Sequence, residues 1–138
     1  MTDQEQCIFL GERMAGYDLG TADSRIRSIL AKKKFDKMAE LEMEFIYGKL
    51  PETDANGNTL FYMPDGTVKP IDTHHQNAKA LVKQVYQEGG RPRPSTKNSP
   101  YCPGCISKGF SEEIARKIFD IMIAFASYSF NKSHSGAY

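Results

Sequence analysis

Residues Lys117 to Tyr138 read KIFDIMIAFASYSFNKSHSGAY, and this stretch sets the reading of the whole chain. Ile114, Ile118, Ile121, Met122 and Phe125 recur at i, i+4, i+7, i+8 and i+11, the period of one apolar helix stripe, so they are expected to face a core. Beyond Phe130 the stripe stops. Asn131, Lys132, Ser133, His134 and Ser135 then follow without a gap. One ammonium among several hydrogen-bond donors at the end of a rigid element suits an anion. Ser111, with Glu112 and Glu113 behind it, is expected to cap this helix, which is predicted to run to about Ser127 or Tyr128.

Working outward, the 138 residues allow one domain with a modest core. No apolar run approaches ~18 residues, so no segment is expected to span a membrane. The acidic, polar start MTDQEQ is not a signal peptide. Three cysteines, an odd number, argue against a disulfide framework and for the cytosol. A net charge of +1 rules out a uniformly basic coat. Residues 89–138 nevertheless hold seven Lys/Arg against three Asp/Glu, so contact with nucleic acid would use local patches.

The front of the chain reads as a helical block, with a first helix to about Tyr17, a second capped by Thr21 and a third over Phe35 to Tyr47 ended by Gly48. The middle changes character. Asp54 to Asn58 is a turn, and Thr59 to Met63 has strand composition. Pro64-Asp65-Gly66 turns the chain into Thr67 to Ile71, which predicts a hairpin whose second strand lies at an edge because of Pro70. Asp72 or Thr73 is expected to cap a helix to about Glu88, with Ala78, Leu81, Val82 and Val85 on one face. Gly89 to Ser95 reads as a mobile loop.

Cys102-Pro103-Gly104-Cys105 has three readings: a turn before the last helix, a zinc knuckle, or a redox pair. Zinc would need further ligands, for which His74 and His75 are candidates, although adjacent histidines seldom bind one ion. No clustered carboxylates of the kind that hold two Mg²⁺ for nucleotidyl transfer are visible. Asp18, Asp23 and Asp120 read as caps or surface charges.

Two blocks of this sequence resemble the fingers region of the bacterial replicative DNA polymerase III alpha subunit. Phe130-Asn131-Lys132-Ser133-His134-Ser135 is similar to that family's FNKSHSAAY motif. Gln4-Glu5-Gln6, Ala15 to Asp23 and Lys32-Lys33-Lys34 are similar to its YQEQ, AGYxLGxAD and KKK series, in the same order. The family's adjacent arginines are here Arg25 and Arg27, which a helix would point about 200° apart, so Arg27 is taken for the first arginine position. Two family glycines are Ser127 and Ser129.

The resemblance implies a mainly α fold: front-block fingers helices over 1–48, an insertion with a β-hairpin and helix over 49–101, and a last fingers helix over 102–138. It further implies a fragment of a DNA-directed DNA polymerase in which Lys132, Ser133, His134, Ser135, Arg27, Gln4 and Gln6 bind the incoming dNTP. The partners would be template-primer DNA, the remainder of the alpha subunit and the replisome. The Mg²⁺ ligands would lie outside this chain, which alone is expected to be inactive. The alternative is a small DNA- or protein-binding module supported by Zn²⁺ on Cys102 and Cys105.

Overall fold

A computed structural model describes residues 10–11, 13–17, 28 and 35–135, with 125–135 described by their backbone. A 3₁₀ turn (Phe35–Lys37) leads into helix α1 (Met38–Tyr47), which Gly48 closes at φ 67°. Strands β1 (Lys49–Pro51), β2 (Thr59–Tyr62) and β3 (Val68–Ile71) precede helix α2 (Ala78–Gln87). Strands β4 (Arg91–Pro92) and β5 (Pro94–Asn98), a 3₁₀ turn (Ile106–Lys108) and helix α3 (Glu112–Ser135) complete the order.

The expected mainly α fold is corrected to a mixed α/β one with two small antiparallel sheets. The predicted hairpin is present, with Thr59 opposite Ile71 and Tyr62 opposite Val68, and β3 is the edge that Pro70 demands. The turn that leads into it is tied by the Asp54 carboxylate, which accepts the backbone N–H groups of Asn56 and Asn58 at 2.9 Å each.

The segment expected to be a mobile loop makes the difference. Arg91 and Pro92 pair with Tyr62 and Phe61, while Asn98 and Pro94 pair with Lys49 and Pro51, so one stretch serves two sheets. Each residue before a proline is biased toward extended backbone, and alternate prolines withhold N–H groups that short edge strands need not donate.

Two helix boundaries also differ. Asp72 accepts the His74 N–H at 2.9 Å and His75 Nδ1 accepts the Asn77 N–H at 3.1 Å, so the chain makes successive turns and α2 starts only at Ala78. Helix α3 starts as expected, the Ser111 hydroxyl accepting the Ile114 N–H at 3.2 Å, but continues to Ser135. With Ser127 and Ser129 where glycines would loosen it, nothing between 112 and 135 breaks the helix.

One core spans all three segments of the chain. Leu41, Phe45 and Ile46 of α1, Phe61 of β2, Val82 and Val85 of α2, and Phe119 and Met122 of α3 are buried together with Cys105. The buried face of α3 is therefore Ala115, Phe119 and Met122, at i, i+4 and i+7. The expected stripe is corrected there: Ile114 and Ile121 are exposed, at 50% and 43%, and Ile118 is half-buried. Rotating the stripe by one position places the Phe119 ring 5.6 Å from that of Phe45, a contact no aliphatic side chain replaces.

Candidate functional site

Gln4, Gln6, Arg25 and Arg27 lie outside the described residues, as do Asp18 and Asp23. Lys132, Ser133, His134 and Ser135 occupy the last turn of α3. Successive helical positions rotate by about 100°, so Lys132 and Ser135 share a side and His134 stands about 200° from Lys132. Asp120 is an exposed position of α3.

The CPGC stretch is a tight turn sewn by backbone groups both to α1 and to Ala15. The Gly104 N–H donates to the Ala15 carbonyl at 3.0 Å, and the Cys105 N–H donates to the Phe45 carbonyl at 2.9 Å. Both cysteines are reduced and buried, and the Cys102 thiol donates to the Glu44 carbonyl at 3.2 Å. Burial, with Cys102 adding to it, pushes the Cys105 thiol up to about 12. Glu44, wholly buried, accepts the Tyr17 hydroxyl at 2.7 Å and the Ser99 hydroxyl at 3.1 Å. Burial first and Glu44 second raise the Tyr17 hydroxyl far above its ordinary range. His74 and His75 are exposed in the turns before α2. Among the described residues, no group of three His, Cys, Asp or Glu gathers to hold a metal ion.

A second buried carboxylate organises the opposite side of α1. Glu42 is 1% exposed; it accepts the Tyr86 hydroxyl at 2.7 Å and pairs with Arg116 at 3.0 Å. Burial holds its carboxyl above the usual range, against the lowering pull of Tyr86, Arg91 and Arg116. Arg116 also donates to the Tyr47 hydroxyl at 3.0 Å and to Glu112 at 3.2 Å. Burial and the bond to Glu112 push Tyr47 up to about 12, while that bond and Arg116 hold Glu112 below the ordinary carboxylate range.

This network forms one wall of a cleft of about 540 Å³, whose other wall is the Arg-Pro-Arg-Pro stretch. Arg91 lies 4.5 Å from the Tyr86 ring centroid and Arg93 3.8 Å from that of Tyr62, whose hydroxyl bonds Glu52. Sequence reasoning passed over these arginines because the stretch read as a loop. The signal was the alternation itself, which puts two cations on one side of an extended chain.

The first 52 residues match the model of the bacterial DNA polymerase III alpha subunit finger domain. The chain is a homologue of the finger region of bacterial DNA polymerase III alpha subunits. The DNA polymerase III subunit alpha of Bacillus subtilis is 38% identical to it over 135 residues, which is 98% of this chain and 7% of that protein. That of Pasteurella multocida is 27% identical over the same coverage of both. That of Escherichia coli K12 is 42% identical over 60 residues, 44% of this chain and 5% of that protein. The chain thus spans about 7% of the length of the curated relatives it matches end to end. No solved structure matches it.

Polymerase chemistry calls for divalent cations on clustered carboxylates, and the described residues do not offer such a cluster. No helix among them is long and apolar enough to cross a membrane.

Proposed function

We propose that the chain works as part of the fingers of a DNA-directed DNA polymerase of bacterial replication, helping to hold the incoming dNTP and the template. The end-to-end match to the Bacillus subtilis alpha subunit supports this most. The last turn of α3 carries the nucleotide-facing donors, with Lys132 and Ser135 on one phosphate of the triphosphate and His134 and Ser133 on another. Arg27, Gln4 and Gln6 of the front block face the same nucleotide. An ammonium and an imidazole N–H on phosphate oxygens supply the charge stabilisation and hydrogen bonds that phosphoryl transfer needs.

The stretch 49–101 is an elaboration of the fingers that shares the core of its flanking helices. Mg²⁺, when bound, supplies charge neutralisation at the reacting phosphates; its ligands belong to parts of the polymerase outside this chain, and the chain alone does not polymerise DNA. The working partners are template-primer DNA, dNTP, the rest of the alpha subunit and the replisome, in the cytoplasm.

The test is Lys132→Ala and His134→Ala, made separately in the intact polymerase that carries this segment. Each should raise the apparent KM for dNTP roughly tenfold or more, as loss of a charged hydrogen bond does. An unchanged dNTP dependence in both variants would falsify the assignment.

A further inference from the structure

The cleft between β4 and the start of α3 has the chemistry of a single-strand nucleic-acid site. Arg91 sits opposite Tyr62 across the β2–β4 pair, and Arg93 follows two residues later on the extended chain, over the Tyr62 ring. Neither guanidinium is in a salt bridge among the described residues. Arg116, deeper in the cleft, is spent on Glu42 and Glu112. Arg93 is exposed, with its guanidinium carbon 3.8 Å from the Tyr62 ring centroid, while half-buried Arg91 lies 4.5 Å from that of Tyr86, donates Nη1 to the Gly90 carbonyl at 3.0 Å and lends part of its charge to Glu42. A guanidinium fixed against a ring offers N–H groups to phosphate at its edge and a stacking surface to a base.

The geometry points to a short run of single-stranded DNA lying across Tyr62, Arg91 and Arg93, with phosphates on the two guanidinium groups and a base stacked on the Arg93–Tyr62 pair. A volume of about 540 Å³ takes one or two nucleotides and no duplex, whose base faces are in any case hidden by stacking. An acidic peptide would satisfy the charge but leave the flat surface unused. The site deepens the template-binding part of the polymerase reading and rests on it for the identity of the strand.

The experiment is fluorescence anisotropy of the full chain with a labelled oligothymidine of about 12 nucleotides, over a range of salt. Arg93→Gln should weaken binding about tenfold. The Arg91→Gln, Arg93→Gln double variant should flatten the slope of log K against log salt by about 1.4, two phosphate contacts at ~0.7 each. Arg93→Lys should keep the slope and still lose affinity, because the ammonium does not stack. Lys79→Gln, the same charge change on the exposed side of α2, should alter neither. Absence of binding by the unaltered chain, equal effects of Lys79→Gln and Arg93→Gln, or displacement by polyglutamate at equal charge would each overturn the site. Binding is read without nucleotide incorporation, so a failure here is distinct from an unchanged dNTP dependence, which would strike the polymerase reading instead.

Discussion

Gly48 and Gly104 meet backbone to backbone, so closely that a Cβ built on Gly104 would lie 2.3 Å from the Gly48 nitrogen. One built on Gly48 would lie 2.1 Å from the Pro103 carbonyl oxygen. Both have positive φ, 67° and 89°, where a side chain is strained even in open space. This contact joins the end of α1 to the CPGC turn and so fixes where α3 begins. Gly104→Ala is expected to cost at least ~2 kcal/mol, left-handed strain and collision together, and Gly48→Ala as much. Urea unfolding of the two variants measures it; a cost near zero would mean that the glycine contact does not hold the turn.

Phe119→Ala tests the corrected face of α3. The ring is fully buried against Phe45, so its removal should destabilise by roughly 3–5 kcal/mol, whereas Ile121→Ala, half exposed, should cost far less. Equal losses would restore the stripe read from the sequence. Denaturant midpoints of the two variants decide between the faces.

That stripe shows what the sequence could carry. Local chemistry was legible: the Asp54 turn, the Thr59–Ile71 hairpin with Pro70 at its edge, the Ser111 cap and the Gly48 stop all rest on neighbouring residues. The misses needed information from far along the chain. Arg91 to Asn98 becomes strand only because β1 and β2 stand ready to pair with it. Ile114 and Phe119 are both apolar and one helix turn accommodates either face, so only the partner ring of Phe45 chooses. The site shows the same split: the FNKSHS run is contiguous and readable, whereas the Arg91–Arg93–Tyr62 cleft exists only after a loop has become a strand.

The Glu42 carboxyl should make stability fall as the pH rises. Its folded value is raised above 4.5 by burial, so the folded state holds the proton more tightly than the unfolded chain. Stability from this group is then fully present below about pH 4.5 and is lost as the pH climbs through the folded value. Glu42→Gln keeps acceptors for Tyr86 and Arg116 without a titrating proton, and should remove that slope. Unfolding free energies of both proteins across the acid-to-neutral range give the comparison; parallel curves would show that Arg116 fully offsets the burial.

Cys105 should be inert to thiol reagents in the folded chain. With burial pushing its thiol up to about 12, the thiolate fraction near pH 8 is on the order of one in ten thousand. In a Cys7→Ser background, disulfide-exchange labelling of Cys102 and Cys105 should track unfolding and become fast only in denaturant. Rapid labelling under native conditions would place the pair at an accessible, reactive surface and revive the redox reading of CPGC.

The length of α3 bears directly on the nucleotide-facing run. The helix continues through Asn131 to Ser135, with Ser127 and Ser129 inside it. Ser129→Gly should cost the last turns about 0.5 kcal/mol of helix propensity, a small change in overall stability but a large one for a helix end. Backbone amide exchange at 131–135 should therefore speed up while that of Ala115 to Met122, anchored in the core, stays the same. If Lys132 and His134 act from a rigid element, the same variant in the intact polymerase should raise the KM for dNTP without altering the maximal rate. Faster exchange with an unaltered KM would separate the helix from the nucleotide, and identical exchange would show that the turn was never held by helical bonds.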